Sequence, residues 1–123
     1  MNNEKFMKEN ILKDKSYKFA LRIVSLYKYL ISKKKEFVLS KQILCSGTAI
    51  GALVREAEFG QSKVDFIAKM SIALKEANET SYWLNILKDS DYLTDKEFQS
   101  INHECLEIIK LLVASIKTAK LNK

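Results

Sequence analysis

The chain has no proline, three glycines, one histidine, one tryptophan and two cysteines among its 123 residues. Folds built from many short strands need a turn residue every few positions, so this poverty in proline and glycine excludes an all-β design and favours long helices. The longest run without a formal charge, Gln42 to Val54, is shorter than the roughly 20 apolar residues that span a bilayer. No membrane partner is expected. The N-terminus is polar and lacks an apolar core with a small-residue cleavage site, so no secretory signal is read and a cytoplasmic protein is expected. Cys45 and Cys105 lack CxxC spacing and sit in apolar helical patterns, where an unpaired cysteine behaves as a small buried hydrophobe. One histidine and two scattered cysteines cannot make a zinc site, and Ser100, three before His103, breaks the Glu-x-x-His spacing of a bundle di-iron site. Glycine-rich phosphate loops and nucleophile elbows are also missing. Neither a cofactor nor a metal is expected, and an enzyme is disfavoured.

What is present is hydrophobic periodicity: 47% of residues are apolar and 29% charged, a composition that suits one globular domain. Residues 1–14, with isolated Phe6, Ile11 and Leu12, read as a loosely ordered leader. Phe19, Ala20, Ile23, Val24, Tyr27, Leu30 and Ile31 recur at spacings of three and four, predicting a helix over about 16–36 that closes in Lys33-Lys34-Lys35. Ser40 is the expected N-cap of a second helix, about 41–59, with Gly60 as the residue just past its end. Ser62 and Asp65 open a third over about 63–88. Thr94 and Glu97 form a capping box for a fourth over about 95–119, whose apolar face is Phe98, Ile101, Cys105, Ile108, Ile109, Leu112 and Ile116. Four helices with short loops predict an all-α, antiparallel up-down-up-down four-helix bundle.

Two features point beyond a plain bundle. Between Ile43 and Val54 helix 2 carries no charge on any side and contains Gly47 and Gly51, and a helix apolar all round is normally buried all round. A neighbouring subunit is expected over Gly47, Ile50, Gly51, Leu53 and Val54. A second apolar stripe on helix 3, Ile72, Trp83, Ile86 and Leu87, would join that interface. Glu76 and Glu79 within it are expected to pair with nearby lysines or Arg55. The charge is also uneven: residues 1–39 hold ten Lys or Arg against four acids, while residues 40–123 hold eleven against eleven. Lys13, Lys15, Lys18, Arg22, Lys28, Lys33, Lys34 and Lys35, interleaved with Tyr17, Tyr27 and Tyr29, are candidates to contact nucleic-acid phosphates and bases.

The segment Ser46-Gly47-Thr48-Ala49-Ile50-Gly51-Ala52, with Glu56-Ala57, Gln61-Ser62-Lys63, Asp65-Phe66-Ile67, Lys69 to Ala77, Glu79-Thr80 and Tyr82-Trp83-Leu84, resembles proteins encoded in intervening sequences of bacterial 23S ribosomal RNA genes. The match covers helices 2 and 3. It departs from the family pattern at Leu53, where Asn is usual, and at Arg55 and Phe59, where Glu and Gly are common. The resemblance implies a cytoplasmic four-helix bundle assembling as a homopentamer with a poorly defined role. A relative of that family, the accessory variability protein of diversity-generating retroelements, is a basic pentamer that binds nucleic acid and a reverse transcriptase. By analogy the expected role is a non-enzymatic oligomeric accessory protein binding RNA or DNA backbone through helix 1, with a nucleic-acid enzyme such as a reverse transcriptase as a further candidate partner. The alternative is a structural or protein-binding oligomeric scaffold without a nucleic-acid partner.

Overall fold

The structure is a computed structural model that describes residues 3–122, with side chains from Ile11 to Asn122. Four helices follow one another: α1 (Asn3–Ser32), α2 (Leu39–Glu58), α3 (Lys63–Asp89) and α4 (Asp95–Leu121). Among the described residues α1 and α3 each pack on α2 and α4, while the backbones of the diagonal pairs stay farther apart. The cross-helix contacts run in opposite directions along each neighbouring pair. Lys13 reaches Glu58 and Ile23 meets Gly47 across α1 and α2; Glu56 reaches Lys69 and Ser46 meets Thr80 across α2 and α3. Lys88 lies over Phe98 and Ala77 meets Cys105 across α3 and α4, and Arg22 reaches Glu104 and Lys15 Glu107 across α1 and α4. Sequential neighbours are therefore antiparallel.

Helix α1 begins well before Ser16. Leu12 is wholly buried, one and two turns ahead of the fully buried Ser16 and Phe19, so the apolar stripe that docks α1 extends into the segment read as a leader. The side chain of Phe6 lies outside the described residues. The core continues through Ile23 and Leu30, Ile43 and Ile50, Met70, Leu84 and Leu87, and Ile108 and Leu112. Each such side chain contributes about 1.5–3 kcal/mol by leaving water. Polar groups inside are partnered: the Thr80 hydroxyl lies 3.0 Å from that of Ser46 and donates to the Glu76 carbonyl at 2.7 Å.

The helix ends show how the loops are held. Thr94 and Glu97 form the reciprocal box expected of them, and the Ser62 hydroxyl accepts from the Asp65 N–H. Ser40 does not cap α2; it is buried inside the first turn, and its hydroxyl donates to the Glu36 carbonyl at 2.8 Å. The cap is supplied by the buried Glu36 carboxylate, which accepts from the N–H groups of Val38, Leu39 and Ser40 at 3.2, 3.0 and 2.7 Å. A carboxylate at the positive end of a helix dipole, with three donors, replaces a hydroxyl that satisfies one. Gly60 follows α2 but has no positive φ; a Cβ there would lie 3.1 Å from the Ala57 carbonyl oxygen, so close approach rather than left-handed backbone is what favours glycine. Left-handed residues are instead Lys35 (φ 55°), after α1, and Asp91 (φ 66°), after α3.

The small face of α2 packs within the chain. A Cβ on Gly47 would come within 2.7 Å of Ile23, and one on Gly51 within 3.3 Å of the Ser16 carbonyl oxygen. The glycines let α1 approach; they do not require a second subunit. On the outward side Cys45 and Ala52 are exposed and Thr48 and Ala49 half-buried, and side chains this small leave little apolar area to cover.

Candidate nucleic-acid interface

The eight basic residues singled out in α1 and after it divide into two groups. Towards the N-terminal end each cation is tied to an acid. Lys13 lies 2.9 Å from Glu58, Lys15 3.5 Å from Glu107, Lys18 3.0 Å from Asp14, and Arg22 2.8 Å from Glu104. The second guanidinium nitrogen of Arg22 donates to Ser100 at 3.2 Å. Lys13, Lys15 and Arg22 stitch α1 to α2 and α4 while Lys18 pairs within α1 itself, and the field the four would offer a phosphate is largely cancelled at contact range.

Lys28, Lys33, Lys34 and Lys35 cluster at the other end, where α1 gives way to the connection with α2. Among the described residues none of the four has a carboxylate partner; the Lys34 ammonium instead sits 5.9 Å from the Tyr29 ring centre. The acid within this loop, Glu36, is turned inward and consumed by the α2 backbone. Its carboxyl is held below the ordinary range: burial pushes it up, but the backbone donors and the Ser40 hydroxyl together outweigh burial. Next to it, Phe37 and Val38 project outward, 61% and 70% exposed. The loop thus combines lysines with an exposed aromatic ring on a backbone fixed at both sides. Glu36 and Phe37 were not legible as functional. The available signal was an acid just ahead of a helix start, which complements the dipole, followed by an aromatic residue in a polar loop.

At the same end, α1 and α4 leave a groove of about 640 Å³ between Leu21, Leu26 and Tyr29 on one side and Leu93, Lys96, Ser100 and Ile101 on the other. Arg22 crosses its margin.

The expected interface residues are scattered by the fold. Ile50, Val54 and Leu87 are buried by the chain's own helices, as is Gly47, and Gly51 and Leu53 are partly covered. Ile72 is 44% exposed, while Trp83 and Ile86 are half-buried on the outer side of α3. Trp83 packs edge-on against Tyr82, with ring centres 5.1 Å apart, and its N–H lies 3.4 Å from Glu79. Arg55 does not reach Glu76 or Glu79; it lies over the Tyr17 ring at 5.2 Å. Burial raises the Glu76 carboxyl above its ordinary value, and the neighbouring Glu79 raises it further. Of the cysteines, Cys105 is buried and its thiol pushed up to about 12, whereas Cys45 is exposed, because its position faces away from all three other helices. His103 is exposed on α4, 3.3 Å from Glu107. Among the described residues no group of three or more His, Cys, Asp or Glu could hold a metal ion, and no helix is long and apolar enough to cross a membrane.

The model of the 23S rRNA-intervening sequence protein family matches residues 8–114. The chain belongs to this family. A crystal structure of a protein of unknown function from Bacteroides thetaiotaomicron, assigned to the S23 ribosomal protein family, is similar at 59% identity with a TM-score of 0.89. The similarity covers 89% of this chain and 98% of that one. No curated protein matches. The family match runs from the start of the α1 stripe to the last turns of α4 and so takes in both the paired cations and the lysine loop.

Proposed function

We propose that this protein is a non-enzymatic, homo-oligomeric accessory protein that binds nucleic-acid backbone through the connection between α1 and α2. The observation that carries the reading is the run Lys33-Lys34-Lys35, flanked by Lys28 and Lys41, with its one internal acid turned away into the α2 N-terminus. Such a patch neutralises phosphates without reading sequence. Repeating it around an oligomer raises affinity through effective concentration. The groups that chemistry could use are otherwise occupied. The Cys105 thiol is buried and protonated, and Glu76 and Glu79 lie close together on one helix face without a converging base.

The test is a titration of labelled single- and double-stranded RNA and DNA at two salt concentrations, with the mass in solution recorded alongside. Binding by an oligomer that weakens steeply with salt supports the reading. Absence of binding at low salt sinks it and favours the second reading, a protein-binding scaffold, whose support is the exposed Ile72 and Tyr82 beside Trp83 on α3.

A further inference from the structure

We infer that Phe37 is a base-stacking platform, and that the nucleic acid taken by the lysine loop is therefore single-stranded. The inference rests on the backbone-binding reading above and names the substrate class of that same site. Phe37 is a large apolar side chain, 61% exposed, in a connection of six residues, 33–38, that otherwise holds three lysines, a buried glutamate and a valine. Its outward position is imposed from both sides. The Glu36 N–H donates to the Leu30 carbonyl at 3.0 Å, and the Glu36 carboxylate binds the N–H groups of the three residues after Phe37. With the Glu36 side chain pinned inward, the ring beside it stands in solvent on a fixed backbone, and little entropy is lost when a ligand covers it.

The chemistry of the neighbourhood selects the ligand. Lysines precede the ring, and Lys41 follows it one turn into α2. A single strand offers unstacked base faces next to phosphates and so matches ring and ammonium groups together. A duplex keeps its base faces inside the stack and could engage the lysines alone. An anionic bilayer would also attract lysines beside Phe37 and Val38. Two side chains on a rigid loop, however, bury far less than the apolar face of an amphipathic helix on which interfacial binding depends, whereas one ring suffices to stack one base. Of the other acids at this end of the bundle, Asp91 lies in the connection between α3 and α4, Asp89 and Asp95 are the helix residues that flank it, and Glu97 accepts from the Thr94 N–H in the α4 capping box.

The experiment compares the wild type with Phe37→Ala and Phe37→Tyr, each checked for helicity and solution mass. The probes are a mixed-sequence single-stranded RNA, the blunt duplex of the same length, and phosphatidylserine vesicles. Phe37→Ala is expected to weaken single-strand binding about tenfold and leave duplex binding within about twofold, with Phe37→Tyr restoring the wild-type value. Equal loss on both RNA probes, or no loss on either, overturns the stacking role while leaving the backbone reading in place. A wild type that binds neither RNA overturns both. Vesicle binding that depends on Phe37, with single-strand binding indifferent to it, overturns the inference in favour of a lipid surface.

Discussion

The two halves of the basic stripe on α1 have similar composition and opposite fates. Lys13, Lys15, Lys18 and Arg22 are each held within 3.5 Å of a carboxylate, while Lys28 and Lys33 to Lys35 face solvent around a loop whose own acid is buried. Counting charges along the chain treats all eight alike. Lys18 finds its acid, Asp14, one turn away on α1, but only the bundle, by bringing Glu58, Glu104 and Glu107 beside Lys13, Arg22 and Lys15, separates cations that join helices from cations left to a partner.

The largest effect that would sharpen this contrast is expected from charge reversal. Lys33, Lys34 and Lys35 changed together to Glu should lower nucleic-acid affinity roughly a hundredfold and flatten its salt dependence, whereas Lys15→Glu with Lys18→Glu should change affinity far less. Equal losses from the two sets would erase the distinction. Next comes the loop's anchor. Glu36→Ala strands three N–H donors and should cost about 2 kcal/mol in a denaturant titration. Because the carboxyl titrates below its ordinary value of 4.5, the stability it contributes is fully present above that value. It is lost as pH falls through the lowered one, so the gap between wild type and variant should close only in acid.

A smaller change is expected at Lys35, whose φ of 55° is unfavourable for a side chain. Lys35→Gly should raise stability by about 1 kcal/mol while slightly lowering nucleic-acid affinity, so the two readouts move in opposite directions. Smallest is Arg22→Ala. Exposed pairs contribute about 0.5 kcal/mol, and affinity should be unmoved. A marked affinity loss there would mean that the paired half of α1 also meets the ligand.

Much of the fold was legible because its signals are local. The Thr94–Glu97 box and the Ser62 cap depend on residues three apart, and the core stripe of α4 follows from helical period. The α2 cap was misread because Ser40 has the right chemistry two residues too late, and a carboxylate four residues upstream satisfies the same donors better. The small face of α2 was legible as a close approach, but the approaching element was not. Nothing local distinguishes Ile23 of the same chain from a residue of another. Cys45 was expected inside for the same reason: an apolar neighbourhood in sequence says a helix is apolar, not which way each residue faces.

By itself the sequence determined four helices, their approximate limits, an all-α class and a surplus of positive charge towards its N-terminal end, since propensity, periodicity and charge are properties of residues and near neighbours. The tertiary structure decided which glycine admits which helix, which cations are cancelled, and that Glu36 turns inward while Phe37 turns out. Those outcomes depend on distances between residues far apart in the chain, and only packing brings them within reach of one another.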